Sequence, residues 1–157
     1  MEETILVQIA SYRDPELIPT LKDITEQADR PERLRIVVCW QHGNDESTED
    51  FFDAGIEVEE GLVYTHKEVD GTTKKYDVIC TTLNGATIEF IDVDYTLAQG
   101  ACWARHMIQQ FYTDETYTLQ LDSHHRFVEG WDTLAIEMLH QCMEESRKPI
   151  LTGYVPS

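Results

Sequence analysis

The stretch TILVQIASYRDPELIPTLKDITEQADRPERLRIVVCWQ, residues 4–41, decides the fold. Residues 4–12 and 33–41 are short apolar runs rich in β-branched side chains, and such runs predict buried strands. Between them, apolar residues recur at helical spacing over residues 13–28, and Asp14 with a proline after it predicts a capped helix start. A strand, a helix and a second strand within so short a stretch predict a parallel pair joined by a right-handed crossover.

The rest of the chain continues this alternation after a polar interruption. Residues 42–86 begin with an acidic loop that has room for a short helix. Later in the segment, stretches of alternating apolar and polar residues lie between turn signals, which predicts an insertion that carries a hairpin. The elements expected after it are strands at 87–95, 116–122 and 150–157 and helices at 96–112 (beginning near Gly100) and 131–146. The residues of the last helix that are spaced for burial are Leu134, Met138, Leu139 and Cys142. This order predicts one α/β domain with an open, mostly parallel sheet flanked by helices.

The chain carries a strong excess of acid, with a formal net charge of -18 over 157 residues. Such a surface repels nucleic acid and anionic membrane, and no run approaches the roughly 18 apolar residues of a membrane span. We therefore expect neither nucleic acid nor membrane as a partner. The same charge repels a nucleotide, so a nucleotide site here needs a divalent cation or well-placed arginines.

The cysteines and the N-terminus bear on the compartment. The four cysteines form no CxxC pair, and three lie in apolar stretches, where buried free thiols are expected in place of a zinc site. The acidic start MEETILVQIA differs from a signal peptide. Together these features predict a reducing cytosol, and so a cytoplasmic protein.

Polar residues directly follow three of the predicted strands. They are Ser11-Tyr12-Arg13, Gln41-His42 and Asp122-Ser123-His124. In open parallel sheets, ligands bind at the carboxyl ends of the strands. We therefore expect the three groups to converge on one crevice.

Asp122 and His124 are the candidate metal ligands. They are two residues apart, and on an extended segment residues i and i+2 point the same way. A carboxylate oxygen and an imidazole nitrogen on one face suit Mn²⁺ and, less ideally, Mg²⁺. His125 is then expected to point away from His124. The alternative is that Asp122 caps a turn and His124 is an ordinary surface histidine.

Two further groups are candidates for contact with a nucleotide. Arg105 lies early in the helix that Gly100 opens, where it would pair with a phosphate or carboxylate beside the helix N-terminus. Its alternative is an ordinary solvated arginine. The residues at the end of the first strand that would hold a base or ribose are Ser11, Tyr12 and Arg13. Their alternative is a simple strand-to-helix connection in which the tyrosine packs.

With these residues in view, the chain resembles a glycosyltransferase of the GT-A fold. In particular it resembles the GlcNAc-transferase family that includes cytosolic enzymes adding N-acetylglucosamine to hydroxyproline. The stretches that carry the resemblance stand in the family's order and are ILVQIASYRDPELIPTL, LRIVVCWQ, GACWARHMIQQFY and YTLQLDSHHRFVEGWD. The Asp-Ser-His element is also similar to the Asp-x-His element of polypeptide GalNAc-transferases, where it replaces Asp-x-Asp.

The resemblance implies a role for each candidate residue. Asp122 and His124 would bind Mn²⁺ and, through it, the diphosphate of a UDP-sugar, while Arg105 would lie near the nucleotide. Gln41 stands where many enzymes of this fold carry an acid, and this departure bears on recognition of the base or ribose. The residues that match the uridine-facing end of the first strand are Ser11, Tyr12 and Arg13.

The activity that the resemblance implies is metal-dependent transfer of GlcNAc, or a related HexNAc, from a UDP-sugar to an acceptor hydroxyl, with retention of configuration. Enzymes of this fold continue well past the metal motif. We therefore expect residues 1–157 to be the nucleotide-sugar-binding portion, without its C-terminal part and with an insertion at 42–86. An exposed sheet edge would favour a homo-oligomer.

Two other functions remain open from the sequence. One is a non-catalytic or incomplete UDP-sugar-binding module. The other is a metal-dependent nucleotidyltransferase, which needs more clustered acids and so would need Asp92 and Asp94 to join Asp122. No residue stands out as a catalytic nucleophile or base.

Overall fold

The structure is a computed structural model, and it describes residues 2–153. These residues form an α/β unit with one six-stranded sheet and four α-helices. The strands are β1 (Ile5–Tyr12), β2 (Leu34–His42), β3 (Glu59–Lys67), β4 (Thr73–Leu83), β5 (Ala86–Asp94) and β6 (Tyr117–Asp122). The helices are α1 (Leu17–Glu26), α2 (Thr48–Asp53), α3 (Ala101–Gln109) and α4 (Trp131–Met143), with short 3-10 turns at Pro31–Arg33 and Tyr95–Leu97.

The sheet has the order β3-β4-β5-β2-β1-β6. The four strands β5, β2, β1 and β6 are parallel, whereas β4 runs antiparallel to both β5 and β3. The prediction of an open, mostly parallel sheet flanked by helices is therefore confirmed. Because β2, β1 and β6 are neighbours and parallel, their carboxyl ends meet at one edge of the sheet.

The two faces of the sheet are buried against different helices. Alternate residues of β1 and β2 face α1, where Leu21 and Ile24 are fully buried, and this face forms the larger core. The opposite face packs against α3 through Ala104, Met107 and Ile108. The helix expected to begin near Gly100 is thus confirmed. A strand buried on both faces explains the nearly continuous apolar runs of β1 and β2.

Helix α1 begins later than predicted. It starts at Leu17, and the residues before it form a turn in which Asp14 accepts the backbone N–H of Glu16 through Oδ1 at 2.9 Å. The side chain of Asp14 therefore does not cap the helix. The reason is tertiary, because its other oxygen is taken by the loop that follows β6. The predicted burial of the helix's apolar stripe is correct.

The C-terminal region departs most from the prediction. Helix α4 ends at Met143, and of the residues expected to be buried, Leu134 and Met138 are exposed. The helix contacts the core mainly through Trp131 and Ile136 instead. The strand expected at 150–157 is absent from residues 150–153, and residues 154–157 lie outside the described part of the chain.

The segment 42–86 contains the short helix and the hairpin that its sequence predicts. The helix is α2, which begins with a capping box at Ser47, and the hairpin is β3–β4. The hairpin extends the main sheet through β4, so β3 is an edge strand. Of the cysteines, only Cys39 is buried, Cys80 and Cys142 are half-buried, and Cys102 is exposed, so burial of three thiols was wrong. Among the residues that the structure describes, no helix has both the length and the apolar character needed to cross a membrane.

Candidate donor-substrate site

The three polar groups that follow β1, β2 and β6 share one edge of the sheet, as predicted. Tyr12 pairs with Gln41 across β1 and β2, and Ala10 pairs with Asp122 across β1 and β6. Ser11 and Gln41 are buried, and the Gln41 amide donates to the main-chain oxygen of Ser11 at 3.0 Å. Gln41 therefore ties two strand ends together, and contact of either buried side chain with a nucleotide stays a prediction.

Tyr12 and Arg13 present an aromatic and cationic surface at this edge. Tyr12 is exposed, and its ring lies edge-on to that of Tyr95 with 6.5 Å between centroids. The Arg13 guanidinium lies 4.6 Å above the Tyr95 ring and 3.5 Å from Asp45. Arg13 also has φ of 47°, a left-handed conformation that is unfavourable for a residue with a side chain and tends to occur at functional sites. Flat aromatic and guanidinium groups of this kind can stack on a base.

Arg105 and Asp122 face each other across the next part of the edge. Arg105 lies in the second turn of α3, and its Nη2 is 3.5 Å from Asp122 Oδ1. Its Nε is buried without a hydrogen-bond partner among the described residues. Gly100 precedes α3 as its N-cap residue, with φ of 95°. It has no side chain to cap the helix, so the first backbone amides of α3 remain available to bind a ligand. The guanidinium thus places positive charge beside Asp122. The start of α3, about one turn earlier in the helix, adds the positive end of the helix dipole.

Asp14 organises the opposite side of Asp122. Its Oδ2 accepts hydrogen bonds from the Ser123 hydroxyl at 2.6 Å and from His124 Nδ1 at 2.9 Å. Burial raises the pKa of Asp14, but the bonds from Ser123, the Glu16 amide and His124 outweigh it and lower the pKa below its ordinary value. The bond to Asp14 raises the pKa of His124.

The chain bends immediately after Asp122, which changes one expectation. Strand β6 ends at Asp122, so the extended geometry assumed for residues 122–124 is not continued. His125 does not point away from His124, because the two rings lie nearly parallel with 5.9 Å between centroids. Asp122 and His124 nevertheless face one another, with His124 Nε2 4.0 Å from Asp122 Oδ2.

The loop after β6 is fastened along α1 by side chains of the helix. Thr20 donates to the Ser123 carbonyl at 2.8 Å and accepts from the His125 amide at 3.1 Å. Asp23 accepts the Phe127 amide at 2.5 Å. These bonds satisfy the backbone of an irregular segment and fix its path beside the strand ends.

The geometry of Asp122 and His124 is compatible with a shared divalent cation. His124 Nε2 lies 4.0 Å from Asp122 Oδ2, whereas two neighbouring ligands of one ion at about 2.1 Å each are about 3 Å apart, so the two side chains would close by about 1 Å on a cation. The side chains are 54% and 61% exposed, so both are accessible. Residues 2–153 contain no group of three or more His, Cys, Asp or Glu placed to hold a metal ion. Metal binding by this pair stays a prediction, and a cation held there would take its other ligands from a bound substrate or water.

Asp92 and Asp94 do not join this cluster. His42 Nε2 bonds to Asp92 Oδ1 at 2.5 Å; burial lowers the pKa of His42, but the bond and charge of Asp92 together with two backbone carbonyls outweigh burial and raise the pKa. Asp94 accepts both the amide and the hydroxyl of Thr96 at the end of β5. The two acids that a nucleotidyltransferase would need are thus occupied in local contacts.

Sequence reasoning missed Asp14 as a member of this site. The residue follows Arg13 and precedes a proline, which is also the signature of a helix cap. Its partners lie more than 100 positions away, so no local pattern could have shown the contact. The available signal was its position just after the first strand, at the edge where ligands bind.

Comparison with known proteins gives a family match and no more. The model of the family described as Glycosyltransferase (GlcNAc) matches residues 4–157. No curated protein matches the chain. No solved structure matches it either.

Proposed function

The chain belongs to the GlcNAc glycosyltransferase family, and on that premise we propose that it is a metal-dependent enzyme using a UDP-sugar. The transferred sugar is N-acetylglucosamine or a related HexNAc, and the acceptor group is a hydroxyl. Family membership supports glycosyl transfer in general. The donor, the cation and the stereochemistry are the parts that the proposal adds.

The observation that carries the proposal is the group formed by Asp122, His124 and Arg105 at the end of β6. Two half-exposed metal-binding side chains stand 4.0 Å apart, and a guanidinium with an unpartnered Nε stands 3.5 Å from the same carboxylate. A sugar diphosphate needs both kinds of group, because it carries negative charge that a protein of net charge -18 otherwise repels.

Asp122 and His124 are the residues that would hold Mn²⁺ or Mg²⁺. When bound there, the cation would act as a Lewis acid on the diphosphate and offset the charge of departing UDP. Arg105 and the amides at the start of α3 would bind phosphate oxygens on the other side. Tyr12 and Arg13 would stack on or hydrogen-bond the uridine, with Ser11 and Gln41 shaping the strand ends beneath them.

The reaction exchanges one bond at the anomeric carbon for another. The acceptor oxygen forms a bond to the anomeric carbon while the bond from that carbon to the β-phosphate oxygen breaks. UDP leaves with the electron pair of the broken bond. The hydroxyl proton ends on released UDP or in solvent. The protein's contribution is electrostatic, through positive groups placed where the leaving charge develops. Retention of configuration is proposed from the family resemblance alone.

The proposed partners follow from the same chemistry and from the surface charge. They are a UDP-sugar donor and a protein or glycan hydroxyl acceptor, with neither nucleic acid nor membrane expected at a net charge of -18. Four free cysteines support a reducing, cytoplasmic location. Among residues 2–153 no strand pairs with the outer edge of β6, which supports self-association.

The test is a calorimetric titration of UDP and UDP-GlcNAc with Mn²⁺ and with EDTA. Wild type is compared with Asp122→Ala and with Asp114→Ala. The second variant removes the same charge from an exposed position shortly before β6 begins, whereas Asp122 is at the end of the strand. We expect Mn²⁺-dependent binding in wild type and Asp114→Ala, and none in Asp122→Ala. Equal binding by all three proteins would exclude Asp122 as the metal ligand.

Turnover separates the proposal from its alternatives. Release of UDP from UDP-GlcNAc, with an acceptor or slowly by hydrolysis, would identify a transferase. Mn²⁺-dependent binding without any release of UDP would identify a non-catalytic binding module. Release of pyrophosphate from UTP in the presence of a sugar 1-phosphate would identify a nucleotidyltransferase, although Asp92 and Asp94 are engaged elsewhere.

A further inference from the structure

Asp14 lies before α1, yet its carboxylate faces the loop that follows β6. Oδ2 receives the Ser123 hydroxyl and His124 Nδ1, and Oδ1 receives the Glu16 amide. The side chain of Asp14 is 17% exposed, compared with 61% for His124. The carboxylate is therefore fixed by three donors, while the imidazole that it holds projects towards solvent.

The contact decides which nitrogen of His124 can act as a ligand. A carboxylate only accepts hydrogen bonds, so Nδ1 must carry the proton. In the neutral ring the lone pair is then on Nε2, the atom that lies 4.0 Å from Asp122 Oδ2. Without a fixed acceptor at Nδ1, the ring would be free to rotate and to exchange tautomers.

This role is distinct from fastening the loop. Thr20 and Asp23 hold the backbone of the loop, and Glu16 pairs with Arg126 at 2.7 Å. None of these three residues hydrogen-bonds the His124 ring. Several residues thus fasten the loop, whereas the His124 ring is hydrogen-bonded by Asp14 alone among the described residues.

We propose that Asp14 is a positioning residue that holds His124 as its Nδ1–H tautomer, with Nε2 directed at the space beside Asp122. A carboxylate behind a metal-binding histidine fixes the ring and raises its basicity as a ligand. The consequence for cation binding rests on the proposed function. The tautomer itself does not, because it is a property of the metal-free protein.

The first measurement is the ¹⁵N spectrum of the histidine rings in metal-free protein, at a pH where the rings are neutral. His124→Gln identifies the signal by its loss. We expect the Nδ1–H tautomer for His124 in wild type. Asp14→Ala should lose it, and the near-isosteric Asp14→Asn should weaken it, because the amide can either donate to Nδ1 or accept from Nδ1–H. Glu16→Gln is the matched control, because it removes a charge and the ion pair with Arg126 from the same turn and should keep the tautomer.

The second measurement is Mn²⁺ titration of the same proteins in the presence of UDP, which supplies the remaining ligands. Loss of the partner behind a ligating histidine typically weakens metal binding by about 10–100-fold. We therefore expect at least a tenfold loss for Asp14→Ala and for Asp14→Asn. Glu16→Gln should bind as wild type does.

Each result has a separate meaning. An Nε2–H tautomer in wild type would overturn the proposal, as would an unchanged tautomer in both Asp14 variants. A shift in Glu16→Gln as large as that in Asp14→Ala would overturn it too, because loop fastening would then be the cause. The expected tautomers with no Mn²⁺ binding by wild type would support the role of Asp14. That last result would remove the metal from the proposed function.

Discussion

Charged side chains cluster near both ends of β6, and the two clusters differ in how completely they are paired. Near the amino end, Arg35 bonds to Glu89 at 2.7 Å and to Glu115 at 2.8 Å. Its guanidinium also donates to the Phe111 carbonyl at 2.6 Å. The side chain of Glu115 is only 6% exposed, so this cluster is largely withdrawn from water.

The cluster at the carboxyl end has longer contacts and more exposure. Arg105 is 3.5 Å from Asp122, and His124 Nε2 is 4.0 Å from the same carboxylate. Only the Asp14 carboxylate, at the back of the cluster, is held by short hydrogen bonds.

The difference separates charges that pair with one another inside the fold from charges that remain accessible to a ligand. A buried ion cluster must satisfy its own members, because an unpaired charge away from water is costly. An exposed cluster with incomplete pairing is tolerated because water solvates it, and a ligand can replace that water. The carboxyl end of β6 fits the second description, which is why the proposed donor site is placed there.

The largest effect is expected from Arg35→Met. Removing the guanidinium leaves Glu89 and Glu115 as uncompensated neighbours, and breaking such a buried pair costs about 3 kcal/mol. Chemical denaturation should therefore show a lower free energy of unfolding. Binding of UDP-GlcNAc to the folded protein should not change. A small stability loss with a large affinity loss would reverse the assignment of the two clusters.

Acid should act on the same amino-end cluster through Glu115. Burial raises the pKa of Glu115, but the bond from Arg35 and the Thr113 amide outweigh it and lower the pKa from 4.5 to about 2. The stabilisation is present above pH 4.5 and is lost as the pH falls towards 2. The effect is on the order of 2 kcal/mol by linkage.

Thermal unfolding across this pH range measures that loss in wild type and in Glu115→Gln. The variant should be less stable at neutral pH, and the difference between the two proteins should shrink as the pH falls. Asp114→Ala is the control, because Asp114 is exposed and its loss should leave the wild-type profile intact. A constant difference at every pH would show that Glu115 stabilises by packing and not by charge.

A smaller effect, on binding instead of stability, is expected from Arg105→Ala. Loss of a charge-assisted hydrogen bond to phosphate should weaken UDP-GlcNAc about tenfold, or about 1.4 kcal/mol. The free energy of unfolding should hardly change, because the contact with Asp122 is long and partly exposed. Calorimetry and denaturation of one protein sample test both halves. Lost stability with retained affinity would make Arg105 a structural residue.

Much of the fold could be predicted because its determinants are local. The apolar runs of β1 and β2, the stripe of α1 and the glycine at the start of α3 are each visible within a few residues. Parallel order then follows from the connections, and the ligand edge follows from the order. The expectations for Asp122, His124 and Arg105 came from this chain of steps.

What could not be predicted depends on contacts between distant parts of the chain. Asp14 has the local signature of a helix cap, but Ser123 and His124 take its carboxylate. Periodicity shows that Leu134 and Met138 share a face of α4, but not whether another element covers that face. The same limit applies to His125, because the bend after Asp122 is set by bonds to α1.

The smallest effect is expected from Arg126→Met, and it tests whether exposure or distance separates the two clusters. Arg126 and Glu16 are only 2.7 Å apart, as close as Arg35 and Glu89, but both side chains are about half exposed. Exposed ion pairs contribute at most about 1 kcal/mol, since water solvates the charges whether or not they meet. Denaturation should therefore show a change of about 0.5 kcal/mol or less. If Arg126→Met instead cost as much as Arg35→Met, contact distance would be the better guide. The long contacts around Asp122 would then show only a weak ion cluster, and they would no longer favour a ligand at that edge of the sheet.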